Sequence, residues 1–206
     1  MATNEAPDIV VGRLPIYLRA LTIMAEAGQE ITSSQELSQK LGISSAQIRK
    51  DLSHFGEFGK QGTGYETAYL RDQLRRILKL ENTWPVALVG YGDLGHALAN
   101  YAGFAARGFR IVAVFDVAPN KIGQQVAGKE VLDAKELPAM VRSQGIKMAI
   151  MAVPPSAAQE VAEMLVESGV EAILNYAPIN ISVPENVQVQ YLDPAAHLQR
   201  MTYYLD

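Results

Sequence analysis

Gly90, Gly92 and Gly95 stand first, third and sixth in the hexapeptide Gly90-Tyr91-Gly92-Asp93-Leu94-Gly95. Glycines at that spacing cradle a pyrophosphate. The first permits a tight turn, the second lets the backbone approach the phosphates, and the third lets a helix pack closely on a strand. The helix N-terminus then faces the phosphate charge. The pattern is specific only between a strand and a helix. Val86-Ala87-Leu88-Val89 is a continuous apolar run suited to a strand buried on both faces, and Leu94 to Ala106 has a helical pattern. Asp116 ends a second apolar run, Arg110 to Phe115, 26 residues after Gly90. An acid there accepts ribose hydroxyls of NAD+ or NADH and repels the extra phosphate of the phosphorylated coenzymes.

The N-terminal half carries a different chemistry. Ser45, Gln47, Arg49 and Lys50 open a short helix whose buried face is Ile48, Leu52 and Phe55. Gln47 and Lys50 are expected to point outward, with Arg49 flanking them. Amide and guanidinium forks in such a first turn pair bidentately with adenine or guanine edges in the major groove of double-stranded DNA. Lys60, Gly62, Gly64 and Tyr65 follow in a glycine-rich run, read as the hairpin wing of a winged helix: Lys60 reaches phosphate and Tyr65 anchors the hairpin. A helical hairpin without DNA, followed by a flexible linker, is the competing reading. Phe58 and Tyr65 count against the linker, since exposed aromatics are costly there.

The elements that must position these groups are legible in outline. Pro15 to Glu26 has helical periodicity and stops at Gly28. Ser33 with Glu36, and Ser44 with Gln47, have capping-box spacing on either side of Gly42, the outline of a helix-turn-helix. Leu70 to Leu78 forms one more amphipathic helix, ending near Glu81, and Trp84-Pro85 marks a domain junction. Beyond it, helices at 134–143 and 157–168 alternate with strands at 148–153 and 172–175, which implies a doubly wound parallel sheet. Val153 and Pro154, at the end of one strand, join the candidate dinucleotide contacts. The expected organisation is α/β: a winged helix over 1–83, a Rossmann domain over 84–192 and a final helix over 193–206.

Composition bounds the rest. The chain has 206 residues, 49% hydrophobic and 19% charged, which suits two ordered domains. There are no cysteines, so a disulfide, a thiolate metal site and a cysteine nucleophile are excluded, and no metal is expected. The first residues carry acids and no base, the wrong sign for an export signal, and no apolar run is long enough for a membrane span. A cytoplasmic location fits. Net charge is −4, yet residues 40–79 hold eight basic side chains against four acidic ones. That local excess suffices for phosphate contact, although solvated helix faces would give the same count. Of the three histidines, His54, His96 and His197, none is placed as a general acid or base, so no catalytic residue is assigned. The alternative is a small NAD-dependent oxidoreductase with a helical appendage.

The chain resembles the Rex family of redox-sensing transcriptional repressors almost end to end. The resemblance is carried by Gln47 to Ser53, Phe55 to Lys60, Gly62, Gly64, Tyr65, the glycine hexapeptide, Asn100-Tyr101-Ala102-Gly103-Phe104, Asp116 and Asn175-Tyr176-Ala177-Pro178. It implies a homodimer on a palindromic operator, released by NADH and permitted by NAD+, with the last helix (Pro194 to Leu205; apolar at Leu198, Met201 and Leu205) swapped between subunits. It further implies a ligand-dependent latch at Arg13, Tyr101 and Asp193, with Tyr101 near the cofactor. One departure stands out: some relatives have an aromatic residue after the aspartate, where this chain has Pro194, which cannot stack on the nicotinamide in the same way.

Overall fold

A computed structural model of the chain describes residues 6–60 and 62–205, with Lys60 described by its backbone alone. The chain divides into two compact units, residues 1–82 and 83–206.

The first unit runs α1 (Asp8–Val11), α2 (Leu14–Glu26), β1 (Ile31–Thr32), α3 (Ser34–Leu41), α4 (Ser45–Ser53), β2 (Gly59–Lys60), β3 (Gly64–Glu66) and α5 (Thr67–Ile77). Local chemistry sets its boundaries. Ser33 Oγ accepts the Glu36 N–H at 3.1 Å and Ser44 Oγ accepts the Gln47 N–H at 3.2 Å, capping α3 and α4. Between them Gly42 takes a left-handed φ of +68° and closes α3. The Glu36 carboxylate accepts from Gln29 Nε2 and Thr32 Oγ1, tying α3 to the strand before it. Leu14, Leu21, Leu37, Ile48, Leu70 and Leu74 are fully buried in one core shared by all four longer helices. The three strands pair antiparallel in the order β1-β3-β2. α5 stops at Ile77, four residues short of the expected Glu81, and Lys79 adopts φ +56° just beyond it.

The second unit runs β4 (Trp84–Val89), α6 (Asp93–Ala99), β5 (Phe109–Asp116), β6 (Gln125–Val126), β7 (Lys129–Asp133), α7 (Leu137–Gln144), β8 (Met148–Met151), α8 (Pro155–Ser168), β9 (Ala172–Asn175), β10 (Gln188–Tyr191) and α9 (Pro194–Thr202). The sheet order is β10-β9-β8-β4-β5-β7-β6, parallel throughout except for the β6–β7 pair. The chain leaves β4 toward β5 and β7, then returns to place β8 on the other side of β4. That reversal creates a switch point at the carboxyl ends of β4 and β8, where open α/β sheets bind ligands. Ala87 and Val89 of β4 pack with α7 and α8 on one face, while Val86 and Leu88 pack on the other.

The second unit also departs from expectation, and α9 ends at Thr202 rather than Leu205. α6 ends at Ala99, where Asn100 Nδ2 bonds back to the His96 carbonyl, and a turn with a short 3-10 segment at 105–107 carries the chain to Gly108. The β6–β7 hairpin turns through Ala127 at φ +48° and Gly128 at φ +74°, a two-residue loop with both angles positive that an Ala-Gly pair does not announce. β10 adds a parallel edge strand beside β9.

Candidate functional site

Each unit carries one candidate site. In the second unit the glycine turn lies at the switch point. Gly90 has φ +97°, and a Cβ there would overlap the Ala152 carbonyl oxygen and come within 3.0 Å of Val153 Cγ1. A Cβ on Gly95 would strike the Gly90 carbonyl oxygen, so α6 packs against the turn only because this position is glycine. Gly92 faces open space, with nothing within 4 Å of a Cβ built on it. The backbone there is bare for the close approach of a phosphate. Ala152 N–H bonds the Val89 carbonyl at 2.8 Å, bringing Val153 and Pro154 beside Gly90. Asp93 and the half-exposed Leu94 open α6, while the Tyr91 ring is buried against His96.

Asp116, at the end of β5, is buried and built into this turn. Its Oδ2 accepts the Tyr91 N–H at 2.7 Å and Lys121 Nζ at 3.2 Å, and its Oδ1 accepts the Ala118 N–H at 2.8 Å. Burial pushes the carboxyl pKa up, but the two backbone N–H groups and Lys121 outweigh it, holding the group below the usual carboxylate range. A carboxylate oxygen accepts about two hydrogen bonds, so Oδ1 keeps a lone pair for a ribose hydroxyl. The turn, the open space over Gly92 and this remaining acceptor fit a dinucleotide. Lys121 was not singled out from sequence; its signal was a lysine five residues beyond the acid.

Tyr101 follows α6 and is half-exposed. Its ring stands edge-on to Phe104 and lies over Gly103 where a side chain would collide with it, and its hydroxyl accepts a long hydrogen bond from Arg107 Nη1 at 3.4 Å. Tyr101, Phe104 and Arg107 border an apolar hollow of about 360 Å³ over β4, β5, β8, β9 and β10. Asp193 caps α9 by accepting the Ala195 N–H at 2.9 Å. Leu198, Met201 and Leu205 are all more than half exposed.

In the first unit, α4 presents Arg49 and Lys50 to solvent, as expected, and Ser45 is half-buried in its first turn. Arg49 Nη1 donates to Ser34 Oγ at 2.9 Å. Gln47 departs from expectation: it is half-buried, and its Nε2 donates to Asp51 Oδ1 at 2.6 Å. Asp51, one turn later on the same helix, is fully buried and also accepts from Arg13 Nε (2.5 Å), Arg13 Nη2 (2.6 Å) and the Tyr17 hydroxyl (2.6 Å). Burial raises the Asp51 pKa, yet these donors together bring it down to about 2. Arg13 is raised in turn by its bonds to Asp51, and Tyr17 is raised by burial and then by the same carboxylate. This network was missed from sequence. Its signal was an acid inside the apolar stripe of Ile48, Leu52 and Phe55.

The wing is a real hairpin. Gly59 pairs with Tyr65 and Lys60 with Gly64, and β1 closes the other side of β3. A Cβ on Gly64 (φ +81°) would strike the Thr32 carbonyl oxygen, and one on Gly59 the Gly64 carbonyl. Gly62, at φ +87°, meets nothing within 4 Å. Tyr65 packs against the helical core, and burial raises its hydroxyl pKa. The Lys60 side chain lies outside the described residues. Among the described residues, no group of three His, Cys, Asp or Glu side chains could hold a metal, and no helix is long and apolar enough to cross a membrane.

Comparison with known proteins agrees with this division. Residues 5–53 match the family "putative DNA-binding protein N-terminus" and residues 81–179 match "CoA binding domain". The redox-sensing transcriptional repressor Rex of Chloroflexus aurantiacus is 52% identical over 97% of this chain and 94% of its own. That of Brevibacillus brevis is 44% identical over the full length of both. Among solved structures, RSP with β-NAD+ and operator DNA is similar at a TM-score of 0.93, with 35% identity over 98% of this chain and 93% of its own. RSP with β-NADH is similar at 0.89, with 34% identity over 97% and 94%.

Proposed function

The chain belongs to the Rex family of redox-sensing transcriptional repressors, and on that premise we propose that it binds an operator through α4 and the wing and releases it as the NADH share of the coenzyme pool rises. The observation that carries this reading is the Asp116 carboxylate locked onto the Tyr91 N–H of the glycine turn, on a chain whose other unit is a capped helix pair with a wing. Gly90, Gly92 and Gly95 would hold the pyrophosphate, and Asp116 Oδ1 a ribose hydroxyl. Asp116 also argues against coenzyme A, whose ribose is phosphorylated and would face a buried negative charge. When bound, the nicotinamide supplies the redox signal: its oxidised ring is charged, its reduced ring neutral, and a charge costs more to desolvate.

The proposed operator contacts are Ser45, Gln47, Arg49 and Lys50 on α4, with Lys60, Gly62 and Gly64 of the wing held by Tyr65. Arg13, Tyr101 and Asp193 are the residues through which ligand state reaches the reader. The protein acts as a homodimer, because the apolar face of α9 (Leu198, Met201) is uncovered within one chain, and a cytoplasmic location suits a DNA-bound regulator. Replacing Leu198 and Met201 together by aspartate is expected to yield monomers in sedimentation. It is a regulator, not an oxidoreductase: no histidine is placed for proton transfer, and no steady NADH turnover with carbonyl substrates is expected. The deciding experiment is a mobility shift on a palindromic duplex with NADH and NAD+ titrated separately. A coupling of about 1–3 kcal/mol predicts operator affinity falling about 5- to 150-fold with NADH. Operator affinity indifferent to both coenzymes would refute the reading.

A further inference from the structure

Asp51 is buried to the last atom, and its four hydrogen bonds come from two directions. Arg13 and Tyr17, on α2 and at its start, supply three and hold the carboxylate still. The fourth comes from Gln47, a turn earlier on α4 itself, at 2.6 Å. An ionised carboxylate only accepts, whereas an amide has a donating and an accepting end. Asp51 therefore distinguishes the two ends of the Gln47 amide: Nε2 faces it and Oε1 faces away. Among the described residues no group bonds Oε1, and Gln47 stays half-exposed beside Arg49 and Lys50. One acceptor and one spare N–H are left side by side at the amino-terminal half of α4.

We propose that Asp51 is a positioning residue for sequence readout, locking the Gln47 amide so that Oε1 and the second Nε2 hydrogen face the major groove and select adenine at one base pair. The proposal rests on the reading that α4 enters the groove. Adenine offers there a donor at N6 beside an acceptor at N7, the complement of this arrangement, whereas guanine offers two acceptors. A free glutamine could turn its amide over and satisfy either purine. The lock removes that second choice, and it freezes the side chain before DNA arrives, so less conformational freedom is lost on binding. The buried acid on a DNA-facing helix thus acquires a purpose beyond stability.

The test uses the full-length protein and a duplex selected by it from random sequence, with all four base pairs then placed at each position. The native protein is expected to prefer adenine at one position by about 5- to 150-fold, the range of a good bidentate pair. Gln47→Ala should erase that preference and no other. Asp51→Asn can donate to Oε1 and turn the amide round, so the preference at the same position should collapse or move to guanine. A folded Asp51→Asn protein with an unchanged base profile overturns the proposal. So does an unchanged profile in Gln47→Ala. In that case a lost preference in Arg49→Ala would still leave α4 in the groove, whereas no change in either would sink the groove reading too. Should Asp51→Asn fail to fold, the native protein still decides. NMR of the Gln47 side-chain amide, assigned by its absence in Gln47→Ala, should show one Nε2 proton shifted downfield and protected from exchange. An amide pair exchanging like that of an exposed glutamine refutes the lock.

Discussion

Arg13→Met removes two of the four hydrogen bonds on Asp51 while keeping an unbranched side chain of similar reach. Each bond to a charged group contributes about 1.5–3 kcal/mol, and breaking a buried ion pair by removing one partner costs about 3–5 kcal/mol. Asp51 keeps Tyr17 and Gln47, and the Arg13 side chain is 20% exposed, so water reaches the gap from one side. We therefore expect a loss of about 3 kcal/mol, confined to the first unit. Urea unfolding at neutral pH reads it with two probes. Far-UV circular dichroism follows the helices of both units, whereas fluorescence of Trp84, the one tryptophan, follows β4 of the second and should keep its midpoint while the dichroism shifts. In an Asp51→Asn background the same substitution should cost under about 1 kcal/mol, because the charge it paired is gone. A loss below about 1 kcal/mol in the native background, or an equal shift of both probes, would refute the reasoning. Acid supplies an independent check. The Asp51 pKa is depressed on folding to about 2. Its contribution is therefore complete above the ordinary carboxylate pKa near 4, and it is lost as pH falls through about 2. The whole amounts to about 2 kcal/mol. The Arg13→Met protein should lose less over that window.

Three further outcomes follow from the geometry. Asp116→Ala should narrow the preference for NADH over NADPH about fivefold or more, since a buried charge facing a phosphate contributes roughly 1–4 kcal/mol of repulsion, and calorimetric titration of both coenzymes measures it. Gly90→Ala forces a side chain into a left-handed angle and against the Ala152 carbonyl. It should cost about 1–3 kcal/mol in the second unit and abolish coenzyme binding while leaving operator binding intact. Gly64→Ala meets the Thr32 carbonyl in the same way. It should weaken operator binding on all sequences alike while coenzyme affinity is unchanged, and the reverse pattern would misassign the wing.

Much of this is legible in the sequence because its causes are local. Ser33, Gly42 and Ser44 act within four residues of the boundaries they set, and the glycine hexapeptide needs only its flanking runs. What escaped had causes distant in sequence or disguised in composition. Arg13 meets Asp51 across 38 residues, so the acid counted as one more solvated charge. Ala127-Gly128 lacks the Asn-Gly or Asp-Gly signature of a two-residue hairpin, and the β6–β7 pair passed unnoticed. Tyr101 was placed on a long helix because its neighbours are apolar, but Asn100 and Gly103 end that helix early.

Asp116 carries a lesson for anyone wishing to retune this sensor toward a phosphorylated coenzyme. The residue that would be exchanged to admit the extra phosphate is also the clasp that keeps Tyr91 in place over the end of the sheet. The proposed ribose contact and the shape of the loop thus rest on a single carboxylate. A successful redesign must import a neutral acceptor for the Tyr91 amide at the same time as it removes the charge, with Lys121 already at hand as a counter-ion for the newcomer.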